Sequence, residues 1–217
     1  MLRNWSALIV GVGWLLVSAL PASAAVLDGG LFQFAYQQFP FGSYGGVFQA
    51  SGSLEGLTQF PQQGATVAFA ESVNGEHVLV ILGGYLNLDH TTDVAFLMIR
   101  SPDPIQPGTY PVDTETKTVL FGFVDDVGTF VVPENPHDFD WEAYLHSLTL
   151  QQRFVSATGS ITLSLVTELH VEGTFEGLMV DDRDLTAVLV SNATIDVEAG
   201  SSPVEANSWT RVKSLHR

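Results

Sequence analysis

The chain has no cysteine among its 217 residues. Disulfides, thiol nucleophiles and thiolate metal sites are therefore excluded, and burial alone must hold the fold together. Strong bases are scarce too: 8 Lys and Arg stand against 24 Asp and Glu, a formal charge of −16. Such an excess repels phosphate backbones and anionic headgroups, which excludes a nucleic-acid binder and a peripheral membrane protein held by charge. No GxSxG elbow, HExxH helix, P-loop or GxGxxG fingerprint occurs, and the six His residues lack paired ligand spacing. The expectation is a protein that is not an enzyme. Apolar residues make up 46% and charged residues 15%, the composition of a chain that folds rather than of a disordered one.

Arg3, an apolar run over residues 7–20, Pro21 and then Ala22-Ser23-Ala24 have the order of a secretory signal peptide: base, hydrophobic region, small-residue cleavage site. The run is shorter than the ~20 residues a helix needs to cross a bilayer core. Cleavage is expected after Ala24, giving an exported chain, periplasmic or extracellular, with no stable membrane insertion. No cysteine follows the cleavage site, so a lipoprotein anchor cannot be attached there. Residues 25–199 are expected to form one antiparallel β-domain carrying 23 acids against Arg100, Lys117, Arg153 and Arg183. In residues 200–217 the sign reverses, with Arg211, Lys213 and Arg217 against Glu205, which marks a linker and a basic tail.

Alternation carries most of the fold prediction. Residues 29–54 hold no charge, and Phe32, Phe34, Tyr36, Phe39, Phe41, Tyr44 and Phe48 fall among Gly and Gln. Two strands with Pro40, Gly42 and Gly45-Gly46 between them read as a hairpin covering the core, or as an uncharged edge able to add strands to a neighbour. Asn74-Gly75 between two strand-like runs predicts a tight hairpin. Residues 78–82 and 94–99 are apolar on both alternating faces, so something must cover both. From 160 to 198, Ile161, Leu163, Leu165, Leu169, Val171, Phe175 and Met179 alternate with polar residues. Leu185, Ala187, Leu189, Ala193, Ile195 and Val197 are read as continuing the same face, a three-strand meander. Further strands at 47–54, 66–72, 77–83, 94–100, 117–124, 129–132 and 149–156 bring the total to about ten. The fold class is all-β, an antiparallel sandwich or barrel, with one short helix over 136–148 where Trp141, Tyr144, Leu145 and Leu148 share a face.

Candidate chemistry is thin. Asp138, Asp140 and Glu142 place three carboxylates at alternate positions beside His137, which admits a calcium site, although acids in the first turn of a helix explain the same pattern. Calcium is the one cofactor the residues admit. Glu168, His170, Glu172 and Glu176 share one strand face by parity, an arrangement open to a surface metal or an acid–base pair and equally typical of a solvated face. The further ligands a metal would need are poorly supplied by Thr162, Ser164, Asn192 and Thr194, whose groups suit a sugar better. Asp181-Asp182-Arg183-Asp184 and Asp125-Asp126-Val127-Gly128 read as turns.

The ordered features GTY (residues 108–110), TGSITL (158–163), VEGTFEG (171–177) and LTAVLVSNATIDV (185–197) resemble a class of exported bacterial β-sandwich domains whose members read roughly GTY, SGTVTIT and GTFSF before a final strand. The resemblance implies an exported all-β domain, brings no catalytic residue with it, and departs where the lipidated cysteine is missing. The tail from Ser208, with Trp209, Arg211, Lys213 and Arg217, is similar to C-terminal sequences of the form SWxxVKxLxR on exported bacterial proteins. That implies a tag read by sorting machinery. The functional expectation is a non-enzymatic binding or structural module whose partner is a protein, a glycan or a lipophilic ligand. Two alternatives are a carrier of a lipophilic small ligand in a β-cavity and a calcium-dependent adhesion module.

Overall fold

The computed structural model describes residues 25–40, 42–53, 64–73, 76–89, 91–116, 118–127, 152–181 and 183–199. Eleven strands are found there: β1 (Ala25–Asp28), β2 (Gly30–Phe39), β3 (Gly45–Ser51), β4 (Gly64–Val73), β5 (Glu76–Leu86), β6 (Thr92–Ser101), β7 (Gly108–Pro111), β8 (Val119–Val127), β9 (Gln152–Val166), β10 (His170–Val180) and β11 (Ala187–Glu198). They form one antiparallel sheet in the order β1-β4-β5-β6-β8-β9-β10-β11-β2-β3, with β7 added beside β9, and the sheet curls into a half-barrel. The expected all-β class is met. The strand expected at 129–132 and the helix at 136–148 lie outside the described residues.

The curl follows from where the aromatic side chains go. Phe32, Phe34 and Phe48 from β2 and β3 meet Phe121 and Phe123 from β8, with Phe34 at 5.2 Å and 5.3 Å from the latter two in edge-on contact. Phe121 in turn stacks on Phe175 of β10, centroids 4.1 Å apart and 7° from parallel. Rings from strands far apart in the sheet can touch only if the sheet wraps its inner face upon itself. The centre is filled by these rings and by Leu79, Ile81, Leu97, Ile99 and Ile161, all buried. Each buried ring removes 150–250 Å² from water, which makes this cluster the main source of stability.

Strands β5 and β6 are covered on both faces, as their unbroken apolar runs predict. Leu79, Ile81, Ala95, Leu97 and Ile99 belong to the inner core. Val80, Phe96 and Met98 belong to a second buried cluster with Val67 of β4 and Leu120 of β8. Phe96 lies across Gly122 on the neighbouring strand, and a Cβ there would sit 2.2 Å from the Phe96 ring. Only glycine lets that ring lie flat on the sheet.

Two expectations are corrected. The strands expected at 149–156 and from 160 are one strand, β9, because Gly159 at φ 134° carries the chain past the Glu176 carbonyl where a side chain would collide. In β11 the face reverses: Val188, Val190, Ala193, Ile195 and Val197 are buried, whereas Leu185 and Leu189 are exposed. The cause is a bulge after Ser191, where the pairing with β2 shifts and Asn192 takes a left-handed conformation at φ 52°. One extra residue inverts the parity of everything on one side of it. The strands on either side of Asn74-Gly75 pair as expected, with Val73 opposite Glu76, while the two turn residues lie outside the described residues.

The sheet closes at one place and stays open beside it. Gly52 donates to the Gly30 carbonyl at 3.1 Å, Thr66 to the Gly52 carbonyl at 3.0 Å, and the Thr66 hydroxyl to the Ala50 carbonyl at 3.0 Å. These bonds bring the end of β3 against the start of β4. Among the described residues β3 forms a ladder with β2 alone.

Candidate functional site

Between β3 and the ends of β4, β5 and β6 lies a groove of about 760 Å³. One wall is Val47, Phe48, Gln49 and Ser51 of β3; the other is Gly64, Tyr85, Asn87 and Asp93 at the ends of β4, β5 and β6. Beside the β3 edge, on the outer surface, Val47, Phe39 and Leu189 are 70%, 52% and 47% exposed. They come from the adjacent strands β3, β2 and β11, with Val47 opposite Ala35, Leu189 opposite Gln37 and Phe39 opposite Ala187, and among the described residues β3 has no second ladder partner.

At the end of the groove stand three carboxylates. Asp93, Asp125 and Asp126 each present an oxygen within 4.8 Å of the others. Successive residues of a strand normally point to opposite faces, so Asp125 and Asp126 could not both face Asp93 in a regular β8. They do so because the β6–β8 pairing shifts between Thr92 and Val94, and Asp126 adopts a left-handed φ of 51°. The sequence pair expected to be a turn is instead a bulge inside a strand, a device that re-aims side chains at sheet rims. Asp tolerates this conformation better than most residues.

The surroundings fix these acids without neutralising them. The Asp126 amide donates to Asp93 Oδ1 at 3.0 Å. Asn87 Nδ2 lies 3.0 Å from Asp93 Oδ1 and 3.3 Å from Asp126 Oδ1, and the Thr91 hydroxyl is 2.8 Å from Asp126 Oδ1. From across the mouth the Tyr44 hydroxyl donates to Asp125 Oδ2. Asp125 is 8% exposed. Burial first, and then the charges of Asp93 and Asp126, push its carboxyl up to about 6 despite the opposing bond from Tyr44. Burial and the Asp125 carboxylate raise the Tyr44 phenol as well, and Tyr36 beside it is pushed up to about 12. Tyr44 and Tyr36 are thereby kept as neutral hydroxyls.

Of the residues singled out in the sequence, Asp138, Asp140 and Glu142 lie outside the described residues, as do Trp209, Arg211, Lys213 and Arg217. His170 and Glu172 do come together, at 3.4 Å, with Asp196 of β11 as a third member 2.8 Å from His170 Nε2. Glu168 and Glu176 are exposed and stand outside this group. All three members are open to solvent, and the His170–Asp196 bond is an ordinary surface pairing worth under about 1 kcal/mol. Asp181 accepts from the Arg183 guanidinium and from two backbone amides, so the expected turn is a closed structural knot. Asp93, Asn87 and Thr91 had no signal in the sequence, since they meet Asp125 and Asp126 only through the pairing of β6 with β8, and Tyr44 stood out only as one of the aromatics of residues 29–54. No family model, curated protein or solved structure matches this chain.

Proposed function

We propose that the protein is a non-enzymatic binding module, exported to the periplasm or the extracellular space, which takes an extended segment of a partner against β3. The carrying observation is the β3 edge that no other described residue pairs with, along a groove of about 760 Å³. An open edge offers backbone donors and acceptors to an incoming strand, and alternate side chains of that strand would fall into the groove and beside the exposed Val47. Asp93 in the groove wall, with Asp125 and Asp126 behind it, favours a segment carrying Lys or Arg. The interior is filled by phenylalanine rings, so the lipophilic-carrier reading gains no support from it.

The test is selection of displayed decapeptides on the purified protein, followed by amide chemical-shift mapping of a retained peptide. Retained sequences should alternate β-branched or aromatic residues with bases. Their shifts should centre on residues 47–53 and 85–93, and Gln49→Pro should lower affinity at least tenfold. Binders that map elsewhere, or that ignore Gln49→Pro, would sink this reading.

A further inference from the structure

Three features of the described residues invite a role beyond holding the fold. The second apolar cluster around Phe96 and Met98 is already buried. The His170, Glu172 and Asp196 group is solvent-exposed, and its members satisfy one another. The β3 edge is different, because the chain itself carries a segment suited to it and the fold starts that segment close by.

The point where the chain leaves the sheet is fixed by backbone bonds. Glu198, at the end of β11, donates to the Gly29 carbonyl at 3.2 Å, Gly29 to the Thr66 carbonyl at 3.0 Å, and Thr66 to the Gly52 carbonyl at 3.0 Å. Neighbouring strands lie about 4.8 Å apart, so three such steps put the end of β11 about 15 Å from Gly52 in the groove wall. Residues 200–207 can span about 25 Å when extended, enough to bring position 208 to that end of the groove. From Gly52 the edge of β3 runs back to Gly45, so a segment arriving there would travel antiparallel to β3. The far end of that edge adjoins Tyr44, which is bonded to Asp125. Hence Asp93, Asp125 and Asp126 stand where the later residues of the segment would fall.

The sequence of the segment matches that path. Residues 208–217 read SWTRVKSLHR, with no Gly and no Pro. Taken as a strand, Trp209, Arg211, Lys213, Leu215 and Arg217 share one face, so all three bases address the same side. The first residues are uncharged and the bases follow, just as the groove is uncharged at Gly52, Ser53 and Gly64 and acidic at Asp93. The surrounding β-domain, with 23 acids against four bases, favours the same basic segment.

We propose that residues 208–217 dock in cis along β3 and that a partner's segment must displace them. This rests on the reading of β3 as a strand-binding edge and adds its regulation. Tethering makes the docking intramolecular, with an effective concentration of order mM for a short flexible linker. Because a partner has to win, the docked state outweighs the open one only several-fold, and a partner's apparent affinity is lowered by the same factor.

With no cysteine in the chain, Ser208→Cys and Ser214→Cys, made separately, each give a unique attachment point for a nitroxide, whose unpaired electron broadens nearby amide signals. On the full chain, the label at 214 should broaden residues 45–49 and 85–93, and the label at 208 residues 51–53 and 64–66. Arg211→Glu with Lys213→Glu should abolish both patterns. That variant should also bind a synthetic peptide of residues 208–217 several-fold more tightly than the wild type does, because its own segment no longer competes. Broadening centred on another surface, or spread evenly, would overturn the proposal. So would broadening of an isotope-labelled chain without nitroxide by a nitroxide-bearing one, which would make the occupant a second copy. Displayed peptides that map to β3 while the nitroxides leave it untouched would overturn cis docking alone. Peptides and nitroxides that both miss β3 would overturn the strand-binding reading with it.

Discussion

Asp181 and Asp125 are both buried aspartates, 0% and 8% exposed, and they ionise in opposite senses. Burial tends to raise both. At Asp181 the Arg183 side chain and the amides of Arg153 and Arg183 outweigh it and hold the carboxyl below its ordinary range. At Asp125 the strongest neighbouring charges are two more carboxylates, and the carboxyl rises to about 6. One turn has spent a scarce base on closing itself; beside the groove three acids gather around a phenol. In a β-domain with only four bases, the pairing of Arg183 with Asp181 marks that acid as one that serves the fold. The uncompensated ones are the better functional candidates.

The comparison can be broken most sharply at Asp181. Asp181→Ala removes the buried acceptor that Arg183 and two amides share and should cost about 3 kcal/mol in urea unfolding, the low end for a broken buried pair because Arg183 is 36% exposed. A loss under 1 kcal/mol would mean that the turn is not the structural member of the pair. The pH dependence sharpens the contrast by sign. Asp181, lowered from 3.8, contributes stability that is present above pH 4 and lost as the pH falls through its folded value. Asp125, raised from 3.8 to about 6, contributes stability present below pH 4 and lost as the pH rises through 6. With chelator present, Asp125→Asn should therefore gain on the wild type by about 1–2 kcal/mol between pH 4 and 6, a gap read by urea titration at each pH. The smallest effect is expected at the exposed cluster: His170→Ala should change stability by no more than about 0.5 kcal/mol.

Much of the fold is legible in the sequence for a simple reason: strands β4 to β6 and β9 to β11 carry alternation or unbroken apolar runs that backbone pairing must obey. What escapes is anything set by one extra residue. The bulge at Asn192 reverses the face of Leu185 and Leu189, and the bulge at Asp126 turns a presumed loop into a site. A bulge leaves no compositional mark beyond an Asn or Asp that tolerates left-handed backbone, and such residues are commoner in turns. Asp93 escapes for another reason. It lies 32 residues from Asp125 and becomes its neighbour only through β6–β8 pairing. Carboxylates close in sequence, such as Asp138, Asp140 and Glu142, draw the eye because proximity in sequence is visible and proximity across a sheet is not.

The central claim is that the acids at the groove mouth are held for a ligand and not for the fold. Its most direct test is equilibrium urea unfolding of the Asp93→Asn, Asp125→Asn, Asp126→Asn triple variant at pH 7 in chelator, beside the wild type. The expected midpoint equals or exceeds that of the wild type, because like charges are removed while acceptors for Asn87, Thr91 and Tyr44 remain. A loss of about 2 kcal/mol or more, comparable to Asp181→Ala, would contradict it.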